Sequence, residues 1–155
     1  WGLLFGSEFR GDQEGPGVNA LLNYGYGVLR GMVGRAVVAA GMHPSIGIHH
    51  HNRYNAYCLA DDLMEPYRPL VDAAVLEYAG NQPVPEELDR QAKQAIILAL
   101  LCRLPLQGEQ RTVFDCVART AVSMVQTLQG QRKSLVFAEI HPRVAGAVDV
   151  LADRG

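Results

Sequence analysis

The stretch Val18-Asn19-Ala20-Leu21-Leu22-Asn23-Tyr24-Gly25-Tyr26-Gly27-Val28-Leu29-Arg30-Gly31-Met32-Val33-Gly34-Arg35-Ala36-Val37-Val38-Ala39-Ala40 decides the fold. Leu21, Leu22, Tyr24, Val28, Leu29, Met32, Val33, Ala36 and Val37 recur at spacings of three and four, which is the face of a helix and predicts one over 18–40. Gly25, Gly27, Gly31 and Gly34 lie inside it. Each costs about 1 kcal/mol relative to Ala, so all four are predicted to sit where the helix packs closely against neighbours. Gly41 and Pro44 then act as its stop. The glycines lack the strand-turn-helix setting of a phosphate-binding loop.

Working outward, residues 6–17 mix Gly6, Gly11, Gly15, Pro16 and Gly17 with Ser7, Glu8, Asp12 and Glu14, the composition of a loop. Downstream, Leu59, Leu63, Met64, Tyr67, Leu70, Val71, Ala74, Val75 and Tyr78 predict a second helix that stops at Gly80-Asn81. Pro66 and Pro69 predict a kink in its first half, because each removes an interior hydrogen bond. Val84-Pro85-Glu86-Glu87 reads as a helix start, and the third helix is expected to reach about Cys102. A fourth is expected from Glu109 to Gln129, stopped by Gly130, and Val144 to Leu151 suggests a last short one. The pattern predicts an all-α fold of four or more packed helices in one domain spanning 1–155.

Composition bounds the rest. With 155 residues, 48% of them hydrophobic, the chain can bury one core, and disordered or linker-dominated classes are excluded. The formal net charge of -2 advertises neither a nucleic-acid binder nor a membrane-surface protein, although it leaves local sites open. The longest apolar run, residues 95–102, is far below the roughly 20 residues needed to cross a bilayer. Cys58, Cys102 and Cys116 form no CxxC pair, which suits reduced thiols and a cytoplasmic location. The start at Trp1, with neither Met nor a charged leader, predicts a fragment of a longer protein.

One constellation carries obvious chemistry. His49-His50-His51 precedes a helix bearing Asp61, Asp62 and Glu65, where either Asp can share a face with Glu65 at i,i+3 or i,i+4. Three readings stand. A single histidine joined by two carboxylates suits Mg²⁺ or Mn²⁺. His49 and His51, on one side of an extended segment, would suit the zinc of a hydrolase. Alternatively, the acids are a helix start paired by Arg68, in a helical DNA-binding or interaction module with no metal chemistry. His43 and His141 each precede a Pro and read as loop residues. Ser45, Ser123 and the cysteines have no nucleophile setting. If the fold gathers Arg53, Arg68 and Arg35 near the acids, phosphate is the natural ligand.

The wording of three segments is more specific. Asn19 to Leu29, Pro44-Ser45-Ile46-Gly47-Ile48-His49-His50, and Leu59-Ala60-Asp61-Asp62-Leu63-Met64-Glu65-Pro66-Tyr67-Arg68-Pro69-Leu70-Val71-Asp72 closely resemble the CRISPR-associated spacer-acquisition integrases, the Cas-one family. The His-His-Asn-Arg-Tyr-Asn run is most similar to members from type II systems.

The resemblance implies a metal-dependent DNA endonuclease and integrase that inserts spacers into a CRISPR array by transesterification, in antiviral defence. It implies an N-terminal β domain, absent from this sequence, followed by the helical catalytic domain. Matching Gly-x-x-His onto Gly47-Ile48-His49-His50 gives His50 as metal ligand; Asp-Leu-Met-Glu gives Glu65, with Asp62 as a second acidic position. The family's third ligand, a Glu, precedes a Tyr-Trp pair whose Trp matches Trp1, so it falls upstream of this sequence. Neither Glu8 nor Glu14 matches it. The expectation is therefore weak Mn²⁺ binding and little or no activity for 1–155 alone. The resemblance also implies DNA as substrate, a homodimer formed through the β domain, and a small bridging partner, Cas-two.

Overall fold

The structure, a computed structural model, describes residues 16–49 and 52–140. Its elements run α1 (Val18–Ala39), α2 (Cys58–Met64), a 3₁₀ turn (Glu65–Tyr67), α3 (Arg68–Asn81), α4 (Arg90–Ala99), β1 (Arg103–Leu106), β2 (Glu109–Thr112) and α5 (Val113–Leu128). The loop expected over 6–17 and the short helix expected over 144–151 lie almost wholly outside the described residues.

The α1 helix is the hub, packing on α2, α3, α4 and α5. Its apolar face does what the spacing predicts: Leu21, Leu29, Val33 and Val37 are buried among Leu63, Tyr67, Val71, Val75 and Ile96. Each such side chain contributes about 1.5–3 kcal/mol. Gly41 ends α1 in the left-handed conformation, φ 82°, and the chain closes with Met42 N–H donating to the Val37 carbonyl (3.1 Å) and Gly41 N–H to that of Val38 (3.0 Å). This paired closure is the Schellman motif. Gly130 repeats it at the end of α5, with Gln131 N–H on the Gln126 carbonyl at 2.9 Å.

The four interior glycines of α1 divide. A Cβ at Gly25 would lie 2.4 Å from Val71 Cγ1 and 3.1 Å from Ile96 Cγ2, and one at Gly34 would meet the Tyr57 ring at 3.5 Å. Those two are packing positions, as predicted. Gly27 and Gly31 face open space, with nothing within 4 Å of a built Cβ, so the packing account fails for them.

The prolines act where the sequence puts them. Pro66 falls in the single 3₁₀ turn between α2 and α3, where the chain bends without a helix-interior N–H being lost. The third helix is shorter than expected. It begins at Arg90 because Asp89 caps it, its side chain accepting Ala92 N–H at 2.7 Å, which ends the competition with Pro85.

The all-α expectation needs correction. Residues 103–112, which the spacing divides between a linker after the third helix and the start of the fourth, form an antiparallel hairpin that pairs Arg103 with Thr112 and Leu106 with Glu109. Its turn, Gln107-Gly108, has positive φ at both positions, 52° and 82°, the twist that two-residue hairpins need. Leu104 and Leu106 point into the core while Arg103 stays outside. The fourth helix accordingly starts four residues late, capped by Thr112, whose hydroxyl accepts Asp115 N–H at 3.2 Å.

Beyond α5 the chain returns along it. Ser123 Oγ accepts Val136 N–H at 2.9 Å, the Thr120 hydroxyl lies 2.8 Å from the Val136 carbonyl, and Pro105 accepts Glu139 N–H at 2.9 Å. Tyr67, wholly buried, meets Thr120 at 2.7 Å, so the two hydroxyls satisfy each other in the core. Cys58 and Cys116 are buried thiols and Cys102 is half-buried; none forms a disulfide. Among the described residues, no helix is long and apolar enough to cross a membrane.

Candidate functional site

Four residues of α1, Asn23, Tyr26, Gly27 and Arg30, share the side of the helix that turns away from the core. Together with Asn55, Asp61, Met64, Glu65 and Arg68 they line an open cleft of ≈ 500 Å³. The sequence places them there by helical spacing, since 23, 26, 27 and 30 recur at three and four.

The consecutive aspartates of α2 do different work. Asp61 faces Arg30: Nε lies 2.7 Å from Oδ1 and Nη2 donates to Oδ2 at 2.7 Å. Asn55 completes the cluster, donating from Nδ2 to Asp61 Oδ2 (2.6 Å) and accepting from Arg30 Nη2 at Oδ1 (2.8 Å). The guanidinium also lies over the Tyr57 ring, 4.9 Å from its centroid. Two-point ion pairing with shared hydrogen bonds fixes geometry better than a single contact, so this cluster ties the 52–57 segment to α1 and α2. Asp62 instead grips the other arm of the same loop. Its Oδ2 accepts the backbone N–H of Ile48 (2.6 Å) and of His49 (2.9 Å).

Glu65 opens the 3₁₀ turn with its carboxylate half exposed at the cleft, 3.4 Å from Arg68 Nε. Arg68 lies over the Tyr26 ring, 4.7 Å from the centroid. The Tyr26 hydroxyl donates to Asp72 Oδ1 on α3. Burial, reinforced by that carboxylate, pushes the Tyr26 phenol well above its ordinary value, so the group stays a donor throughout the working pH range.

Of the residues singled out in the sequence, Asp61, Glu65 and Arg68 line the cleft, Asp61 already paired with Arg30. Asp62 is committed by one oxygen to the loop. His50 and His51 lie outside the described residues, as do Glu8, Glu14 and His141; His49 is exposed. His43, as expected, is an exposed loop residue, its ring 2.7 Å from the Ser45 hydroxyl. Among the described residues no group of three or more His, Cys, Asp or Glu side chains is arranged to hold a metal ion. Arg53 is exposed and stacks on Tyr54 at 4.7 Å; Arg35 is exposed on α1. Neither lines the cleft, whose second cation is Arg30. Arg30 carries no motif of its own in the sequence; its i+4 spacing from Tyr26 is the available signal.

Donor chemistry is compatible with a divalent cation at Glu65, an exposed hard oxygen ligand. Asp62 fits less well, since one oxygen already serves two amides.

Comparison with known proteins places the chain in a family. Residues 9–100, more than half of the chain, match the family described as CRISPR associated protein Cas1. The chain is 33% identical over 140 residues to the CRISPR-associated endonuclease Cas1 of Neisseria meningitidis serogroup C (strain 8013), covering 90% of this chain and 46% of that protein. It is 47% identical over 73 residues to a CRISPR-associated endonuclease Cas1 of Thermus thermophilus, covering 46% of this chain and 23% of that protein. The chain thus spans about half or less of the relatives it matches. In fold it is similar to a casposase solved bound to an integration product, with a TM-score of 0.68 at 24% identity over 83% of this chain and 44% of that one. By family match and by sequence, this chain belongs to the Cas1 family.

Proposed function

We propose that the chain is the helical catalytic part of a divalent-metal-dependent DNA endonuclease and integrase that inserts spacers into a CRISPR array. The observation that carries this reading is the half-exposed Glu65 carboxylate at the cleft, beside Arg68, on the helical segment whose Asp62 anchors the loop leading to His50. The names of its relatives, CRISPR-associated endonucleases, and its fold likeness to a casposase bound to an integration product support it.

Glu65 and His50 would hold Mg²⁺ or Mn²⁺, joined by an acidic ligand from upstream of this sequence; Asp62 then serves the site by fixing the loop. The chemistry such an ion would supply is polarisation of a phosphodiester and charge neutralisation in a transesterification. Arg68 and Arg30 line the wall against which the DNA backbone lies, with Arg53 and Arg35 contacting DNA outside the cleft. Dimerisation and bridging by Cas-two belong to the same reading.

The test is a Mn²⁺ titration followed by broadening of histidine ring signals, alongside cleavage of branched DNA by the full-length protein. His50→Ala and Glu65→Ala are each expected to weaken Mn²⁺ binding at least roughly 10-fold and to abolish cleavage. If both variants bind Mn²⁺ as the parent does, the acids are structural and the chain is a DNA-binding or interaction module. Stoichiometric zinc, insensitive to His50→Ala, would favour a zinc hydrolase using His49 and His51.

A further inference from the structure

The helix α3 begins with a pair that its own sequence would join. Arg68 and Asp72 are i,i+4, the spacing at which opposite charges meet on a helix surface. Among the described residues they form no ion pair. Asp72 instead accepts the Tyr26 hydroxyl from α1, while the Arg68 guanidinium lies flat over the same tyrosine's ring at 4.7 Å and reaches Glu65 at 3.4 Å. Asp72 does not line the cleft; Tyr26, Arg68 and Glu65 do.

One aromatic side chain thus does two things at once. Its hydroxyl engages Oδ1 of the carboxylate that would draw Arg68 back along α3, and its face offers the cation a platform on the cleft side. Arg68 Nε is buried and donates no hydrogen bond, so the side chain is held by stacking and charge more than by a directional partner. A planar guanidinium fixed this way suits a phosphate diester, which it can engage through two N–H groups.

We propose that Tyr26, with Asp72, is a positioning residue that keeps Arg68 turned into the cleft as a contact for a DNA phosphate. This rests on the reading of the cleft as a DNA site, and it adds the device that aims the cation.

The experiment measures binding of a fluorescein-labelled branched DNA duplex by anisotropy, with EDTA present, over a salt series. Arg68→Ala should weaken binding roughly fivefold to tenfold and lower the slope of log K against log salt by about 0.9, the loss of one phosphate contact. Tyr26→Phe keeps the ring and removes the hydroxyl. It releases Asp72 to capture Arg68 and should reproduce most of that loss. The double variant Tyr26→Phe/Asp72→Asn removes the released competitor's charge and should recover binding and slope to within about twofold of the parent, a rescue that a packing defect at Tyr26 would not give. Tyr26→Phe binding like the parent, or a double variant no better than Tyr26→Phe, overturns the proposal. Parent binding that Arg68→Ala leaves unchanged overturns the assignment of Arg68 alone. A parent protein with no salt-dependent DNA binding overturns the DNA reading itself, and the proposal falls with it.

Discussion

Gly25 and Gly27 are two residues apart on α1, yet a methyl group added to each meets opposite surroundings. At Gly25 it would press into Val71 and Ile96; at Gly27 it would meet nothing within 4 Å. The first lies on the face that packs into the core, and the second lines the polar cleft. The core face is held by shape, with Leu29, Val33 and Val37 at 0–1% exposure. The cleft face is held by charge and hydrogen bonding, through Arg30 on Asp61 and Asn55 and through Tyr26 on Asp72. One helix can therefore carry glycines that close packing requires beside glycines that it does not. Only the contacts separate them.

Substitutions sharpen the contrast. Gly25→Ala should destabilise the protein by about 1–3 kcal/mol, because α1 and α3 must separate to admit the new carbon and a close-packed core resists that. Chemical denaturation gives the midpoint shift, and an unchanged midpoint would contradict the close approach. On the other side of the helix, Asp61→Asn keeps the volume and one acceptor but removes the charge opposite Arg30. The pair is partly exposed, at 39% and 21%, so solvent screening limits the expected loss to about 1 kcal/mol. Faster amide exchange in residues 52–57 should accompany it, and protection as in the parent would show that the cluster does not restrain that segment.

Gly31, exposed and with an open surround, gives the opposite sign. Gly31→Ala should stabilise the protein by about 0.5–1 kcal/mol through helix propensity alone. A lower melting temperature would reveal a contact the open face does not have. The smallest effect belongs to Asp115 on α5, whose carboxyl is held below its ordinary value chiefly by hydrogen bonding to Arg111, with Arg119 adding to it. A carboxyl depressed in the folded state stabilises above its unfolded value, near about 3.9, and that contribution is lost as the pH falls toward the folded value. Asp115→Asn should therefore flatten the acid limb of the stability curve below about pH 4 and leave the region below both values unchanged.

The helices were legible because burial on a helix face leaves a three-and-four spacing that survives in any sequence window. The α1 bounds came within one residue, and Pro66 marked the turn between α2 and α3. The hairpin was not legible. Leu104 and Leu106 alternate over only a four-residue strand, Gln107-Gly108 lacks the Asn or Asp that usually signals such a turn, and β2, Glu-Gln-Arg-Thr, has no apolar residue to show a period. The start of α4 is not legible either, because Pro85 and Asp89 are both good openings and only the hydrogen bond from Ala92 to Asp89 chooses between them.

The candidate site divides the same way. Sequence alone singled out Asp61, Asp62 and Glu65 by shared helical spacing, and Arg68 as Glu65's neighbour three residues on. It also determined the family, through the wording of residues 19–72. What only the tertiary structure decided is the division of labour. Asp61 anchors Arg30 and Asn55, Asp62 holds the Ile48 and His49 amides, and Glu65 is left at the cleft. Spacing along a helix says which side chains share a face. It cannot say which partner reaches them, because Arg30 is 31 residues from Asp61 and Tyr26 is 46 from Asp72, and those meetings exist only once α1 has packed against α2 and α3.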